Sequence, residues 1–291
     1  VAQARVSLSD QLLDLVPDTA AVVVTTNHSV LGKHAHYTDV LRFLVSQGWG
    51  SGLEILSSRG LDLVGDAKVT VNFRSAVGGD GLILKIRSVD ALRQRAKTAA
   101  GAAFQTGEIG GHPTFRLSRN LTVVALSGGV ILVGSEKLLA QALAASSSGQ
   151  VISRKRAFKR LTARARKIGS ALWGVAFLPK GLRARLTARG SGDVASIERI
   201  AFGVAGMGPT TLTVESYAGD AKGAKAALAA IESKIDRKIL GSTLLKALGA
   251  GILVRQIHFS THGARVDAKM SLTAPQVGLL SRLAQRILGA L

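Results

Sequence analysis

Apolar positions along this chain repeat with two periods, one helical and one extended, and their succession sets the expected architecture. Over residues 9–16, Leu12, Leu13 and Val16 share one side of a short helix that Ser9 can cap and Pro17 and Asp18 stop. Residues 20–26 are continuous in valine and read as a buried strand. Val40, Leu41, Phe43 and Leu44 predict a helix over 37–47, broken by Gly48, Gly50 and Gly52 and resumed over 53–59. Runs at 67–73 and 81–86 flank Gly78-Gly79-Asp80-Gly81 and predict a hairpin. Ser88 then caps a helix to about residue 100. A β region over 114–135 turns at Ser127-Gly128-Gly129, and Ser135 and Glu136 open a helix through Leu138, Leu139 and Leu143.

The second half follows the same order. It has a strand over 171–178, a hairpin from 197–204 and 210–216, and a helix over 220–235. A hairpin from 255–261 and 264–272 turns at His262-Gly263, and a final helix runs over 273–291. Val89 falls 133 positions before Lys222, Leu121 falls 134 before Arg255, and Val130 falls 135 before Arg265. Matching order and offsets predict an internal duplication. The expected fold is α+β: two similar modules, residues 1–148 and 149–291, each a mainly antiparallel sheet with helices on one face. The serine- and glycine-rich stretch 145–150 is the linker candidate.

Several short motifs add a resemblance. Leu15-Val16-Pro17-Asp18-Thr19 precedes the valine-rich strand, and Ser88 to Leu92 opens a helix as Ser-Val-Asp-Ala-Leu. Gly111, Pro113 and Phe115 form a Gly-x-Pro-x-aromatic turn, and Val130 to Ser135 reads Val-Ile-Leu-Val-Gly-Ser. Over roughly residues 10–145 this resembles exported bacterial proteins of unknown function. The resemblance implies an envelope location and no catalytic residue.

Composition narrows the chemistry. Cysteine is absent from the 291 residues, which removes disulfides, thiolate metal sites and cysteine nucleophiles. Hydrophobic residues make up 47% and aromatics 4%, so a sizeable core must be aliphatic. No run of eighteen apolar residues predicts a membrane span. The chain begins at Val1, and Ala2-Gln3-Ala4 has the small-x-small form of a signal-peptidase site, so a periplasmic or secreted location is expected, with the cytoplasm as alternative. Neither a Gly-x-Ser-x-Gly elbow nor a phosphate-binding Gly-x-x-x-x-Gly-Lys loop occurs. His28, His34, His36 and Asp39 form a weak metal-ligand pattern that reads better as loop residues, and His258 and His262 lie too far apart along a strand to share a metal. No catalytic group, metal or cofactor is expected.

The formal charge is +20, from 38 Lys and Arg against 18 Asp and Glu. It is concentrated: no acidic residue lies between Glu136 and Asp193. That gap holds Lys137 together with Arg154, Lys155, Arg156, Lys159, Arg160, Arg164, Arg166, Lys167, Lys180, Arg183, Arg185 and Arg189. Residues 153–167 predict a helix capped by Ser153, with Phe158, Leu161 and Ala165 as a narrow apolar stripe. The twelve cations from Arg154 onward are the candidate polyanion site. The expectation is a non-enzymatic exported or envelope protein that engages anionic lipid, polysaccharide or another polyanion. A carrier or scaffold for an apolar ligand or partner protein is one alternative, and a cytoplasmic non-specific nucleic-acid binder is another. Aromatics are too few for single-strand stacking, and no sequence-reading helix motif is present.

Overall fold

The computed structural model describes residues 7–33, 56, 66–76, 79–188, 194–205, 210–242, 250–273, 275, 276 and 279. The expected helix over 37–47, all of that over 53–59 except Leu56, most of the final helix over 273–291 and the turn at 206–208 lie outside the described residues. The chain forms two compact units, Val1–Gly32 with Gln47–Arg160, and Lys33–Ser46 with Leu161–Leu291. The fold is α+β, and every strand pairing described below is antiparallel, in line with the hairpin pattern.

In the first unit, helix α1 (Leu8–Leu13) precedes strand β1 (Ala20–Asn27) and the one-turn helix α2 (His28–Leu31). The cap of α1 is Ser7, whose hydroxyl accepts from the Asp10 N–H, rather than the expected Ser9. Strands β2 (Val69–Ser75) and β3 (Asp80–Lys85) form the predicted hairpin. Helix α3 (Val89–Ala100) starts where Ser88 accepts from the Ala91 N–H at 3.1 Å. Then come β4 (Thr106–Ile109), β5 (His112–Ser118), β6 (Leu121–Ala125), β7 (Val130–Gly134) and helix α4 (Glu136–Ser148). The strand order is β1-β2-β3-β7-β6-β5-β4.

The core of this unit is aliphatic, as composition requires. Val71, Ile83, Leu84, Val123, Val124, Ile131 and Leu132 are buried in the sheet, and α4 turns Leu138, Leu139, Ala142 and Leu143 inward. The expected linker at 145–150 is instead the last turn and cap of α4. Gly149 takes the left-handed conformation (φ 72°), and the Gln150 N–H returns to the Ala145 carbonyl at 2.8 Å. Serine-rich sequence reads as linker, but Ser148 donates its hydroxyl to the Ala144 carbonyl within the helix.

The second unit contains most of helix α5 (Arg156–Ile168), then β8 (Leu172–Phe177), helix α6 (Lys180–Ala188), β9 (Ile197–Ala205), β10 (Thr210–Ala218) and helix α7 (Ala221–Lys234). It closes with helix α8 (Ala250–Val254), β11 (His258–His262) and β12 (Arg265–Leu272). The strand order is β8-β9-β10-β12-β11. Ala224, Ala227 and Leu228 of α7 pack on Ile197, Ile200, Ala218 and Val266 of the sheet. The alanine-rich face lets the helix approach closely, so small side chains still pack against the sheet. Numbered along each unit, the first three strands and the last two follow one order in both: β1-β2-β3-β7-β6 against β8-β9-β10-β12-β11.

One buried group makes the first unit sensitive to acid. The His28 side chain is fully buried, with its Nε2 3.0 Å from the Thr70 hydroxyl. Burial pushes its pKa down from 6.5 to about 4. Between those values the unfolded chain binds a proton that the folded chain does not, so stability falls as pH falls through this window. In urea unfolding, wild type should lose about 2 kcal/mol more than His28→Leu on going from pH 7 to pH 5. Equal losses would show that the folded protein accommodates the protonated ring.

Candidate anion-binding surface

Helix α5 owes its seating to a row of apolar and small residues spaced three and four apart. Phe158, Leu161, Thr162 and Ala165 are all buried, with Phe158 and Ala165 at 1% and 0% exposure. At 100° per residue this row leaves Arg156, Lys159, Arg160 and Lys167 on the opposite side, and all four are exposed. Among the described residues, none of these four has a carboxylate partner.

Of the remaining candidate cations, Arg154, Lys155, Arg164, Arg166 and Arg183 have contacts of their own. The helix starts later than predicted, because residues Ile152–Arg154 form a separate 3-10 turn. Its Ser153 does not cap α5 but donates to Asp14 Oδ1 at 2.6 Å. Lys155 Nζ donates to the Asp18 carbonyl at 2.7 Å and lies 3.3 Å from the Asp18 carboxylate. The backbone is tied to the same loop: the Ile152 N–H donates to the Val16 carbonyl and the Asp18 N–H to the Gln150 carbonyl, both at 2.9 Å. Arg154 lays its guanidinium against Gly149, where an added Cβ would come far inside contact distance of Nη1. That sets a positive charge beside the negative end of α4.

Arg164 is the principal structural cation. Its Nε lies 2.8 and 2.7 Å from the two carboxylate oxygens of Glu215, and its Nη2 lies 2.6 Å from Oε1. Glu215 is 2% exposed, and Tyr217 also donates its hydroxyl to Oε2 at 2.8 Å. Burial alone would raise the Glu215 pKa, but the hydrogen bonds from Arg164 and Tyr217 outweigh it and hold the carboxyl below the usual range. Burial, together with the bond to Glu215, pushes Tyr217 up to about 12. The β10–β12 register sets Glu215 opposite Asp267 and Tyr217 opposite Arg265, so the cluster continues across the sheet through the Arg265–Asp267 pair at 2.7 Å. Arg166 stacks 5.1 Å from the centre of the Trp173 ring.

On α6, Arg183 pairs with Glu198 at 3.2 Å, while Lys180 and Arg185 are exposed. Arg189 lies outside the described residues, as do His34, His36 and Asp39 of the metal-ligand pattern. The acid-free stretch of sequence is therefore not acid-free in space. Asp14, Asp18, Glu198 and Glu215 answer Ser153, Lys155, Arg183 and Arg164 from positions remote along the chain. Nothing in the local sequence marks Glu215 or Tyr217. Their alternation along β10 is the one available signal, and it says only which face they share.

No known protein family matches the chain, and no curated protein does. Among solved structures it is similar to TP0453, a Treponema protein. Crystal forms III and I match at 10% and 11% identity, each with a TM-score of 0.53, covering 98% of this chain and 100% and 99% of theirs. Crystal form IV matches at 12% identity with a TM-score of 0.51, over 94% of this chain and 95% of that one. At such identity the likeness shows the fold alone. No helix among the described residues is long and apolar enough to cross a membrane.

The division between paired and unpaired cations is measurable as stability. Arg164→Gln leaves the Glu215 carboxylate buried beside a neutral group. It should cost about 2 kcal/mol, less than the full value of a buried pair because Arg164 is 41% exposed. Arg160→Gln, on the outer side of the same helix, should cost under about 0.5 kcal/mol. Urea midpoints of the two variants should separate accordingly, and similar midpoints would remove the distinction.

Proposed function

We propose that this chain is a non-enzymatic binding protein of the bacterial envelope that engages an anionic surface or polymer through helix α5. The observation that carries the reading is the stripe Arg156, Lys159, Arg160 and Lys167, exposed on a helix whose opposite row is buried. Four cations within about 100° of arc along about three turns raise the local potential and lose little ordering entropy on contact, since the backbone beneath them is already fixed. Lys180 and Arg185 add exposed charge on α6. Arg154, Lys155, Arg164, Arg166 and Arg183 serve packing and ion pairing, so the binding set is smaller than the twelve cations of the sequence.

Such a stripe reads charge density rather than sequence. Phosphate-rich lipid and acidic polysaccharide suit it, and duplex DNA would be held only by backbone neutralisation. Export favours the lipid or polysaccharide. Binding to phosphatidylglycerol vesicles and to labelled duplex DNA across a salt series tests the reading. A variant with Arg156, Lys159, Arg160 and Lys167 all changed to Gln should keep its fold and lose at least tenfold in vesicle affinity at low salt. For DNA, four phosphate contacts correspond to a log–log salt slope of about −3 to −4, which the variant should abolish. Weak binding that the variant leaves unchanged would make the stripe a solvated face.

We further propose that the two units are copies of one module. The shared strand order supports this, as do equivalent helix caps: Ser88 and Asp220, 132 positions apart, each accept from the N–H three residues on. The left-handed turn glycines Gly128 and Gly263 stand 135 apart. On this reading β4 and β5 are additions to the first copy. Sequence profiles of relatives over 66–148 and 196–272 should align at these offsets, and alignment at unrelated offsets would overturn the duplication.

A further inference from the structure

A second concentration of positive charge lies on the first unit, where three neighbouring strands end. Lys68 precedes β2, Ile86 and Arg87 follow β3, and Gly128 and Gly129 precede β7. The registers Thr70↔Leu84 and Lys85↔Val130 bring these ends level, and the Ile86 N–H donates to the Gly129 carbonyl at 2.8 Å. The same end of the sheet is flanked by Leu8 and Gln11 of α1, and the open cleft between them has a volume of about 600 Å³.

The lining is chemically one-sided. Lys68, Lys85 and Arg87 are exposed, line the cleft and have no carboxylate partner among the described residues. Asp66 is the one carboxylate among the described lining residues and has an interaction of its own. Elsewhere in the unit, Arg74 is neutralised by Asp80 at 2.6 Å and Arg116 by Glu136 at 2.9 Å. The glycines complete the shape. Gly129 has φ +76° and an added Cβ would lie 2.6 Å from the Ile86 carbonyl oxygen, while beside Gly128 (φ +67°) the space is open. The cleft therefore presents Leu8 and Ile86, a carboxamide from Gln11 and three cations along its lining among the described residues.

We propose that this cleft binds a phosphate ester of small size, with Lys68, Lys85 and Arg87 on the phosphate and the organic portion against Leu8 and Ile86. Arg87 supplies the planar fork that matches phosphate oxygens, and the two lysines supply point charge. A concave site with walls differs from the convex stripe on α5: it selects a group by size as well as charge. The inference does not depend on the α5 reading.

Calorimetric titration of the full chain tests it, with glycerol 3-phosphate, inorganic phosphate and phosphatidylglycerol vesicles as probes at fixed ionic strength. The variants are Lys68→Gln/Lys85→Gln/Arg87→Gln and, separately, the four-residue α5 variant. Wild type should bind with saturation at one site per chain. The cleft variant should weaken this at least tenfold, and the α5 variant should leave it within twofold for the soluble probes. Saturation by glycerol 3-phosphate identifies a free ester as the ligand. Saturation by vesicles alone, weakened at least tenfold by the cleft substitutions both in wild type and in the α5 variant background, identifies a lipid headgroup. No saturable binding of any probe, or binding that the cleft variant retains, overturns the proposal.

Discussion

A helix of thirteen residues that carries six cations and no acid can be built into a folded protein only if each charge is turned to water or answered by a remote partner. Most of what is distinctive in this structure follows from that constraint on α5. Phe158, Leu161, Thr162 and Ala165 fix which side faces in, and so fix Arg156, Lys159, Arg160 and Lys167 outward. Arg164 stands at the border, where the sheet beneath would otherwise meet a desolvated cation. Glu215, itself 2% exposed, is acceptable in β10 because Arg164 and Tyr217 satisfy it. The end of the helix is held as closely: a Cβ at Gly169 would lie 2.6 Å from the Gly203 Cα, so the helix exit and β9 need glycine on both sides.

The charge excess accordingly divides by geometry. Lys155, Arg164 and Arg183 have carboxylate partners, Arg166 an indole ring and Arg154 a helix end. These contacts position α5, its preceding turn and α6. The exposed cations include two groups of different shape, a convex stripe on α5 and the cleft of Lys68, Lys85 and Arg87. A convex row meets any anionic surface of sufficient density. A cleft imposes a size limit. The same residue types thus support different selectivities, and only the backbone around them decides which.

Legibility in the sequence followed the range of the interaction concerned. Elements specified by their own residues were readable: the Ser88 cap, the valines of β1, the hairpin turn at Gly263 and the helix opened by Ser135. Elements specified by partners were not. Strand β4, Thr106–Ile109, is short and polar and exists because β5 pairs with it along Thr106↔Phe115. Ser153 has the chemistry of a cap, but Asp14, distant in sequence, takes its hydroxyl and delays the helix. Serines 146–148 have the composition of a linker, but Gly149 supplies a cap that lets the helix run through them. The basic segment was legible as a concentration of charge, whereas its division into paired and free members required Glu198 and Glu215 to be brought alongside.

The likeness to TP0453 at 10–12% identity is a likeness of fold. A fold kept at that identity is kept by burial pattern and register, which constrain residue class rather than residue. Ala224, Ala227, Val266 and Ile197 satisfy that constraint and could be exchanged for other small or aliphatic residues without altering the frame. Cations exposed without partners satisfy no such constraint. Arg156, Lys159, Arg160 and Lys167 are exposed on the side away from the buried row, and the repulsion of Arg156 with Lys159 and Arg160 at three- and four-residue spacing works against the helix that bears them. Such a stripe carries a small loss of stability at that place. An anionic partner that relieves the repulsion on contact turns the same arrangement from a cost into a source of affinity.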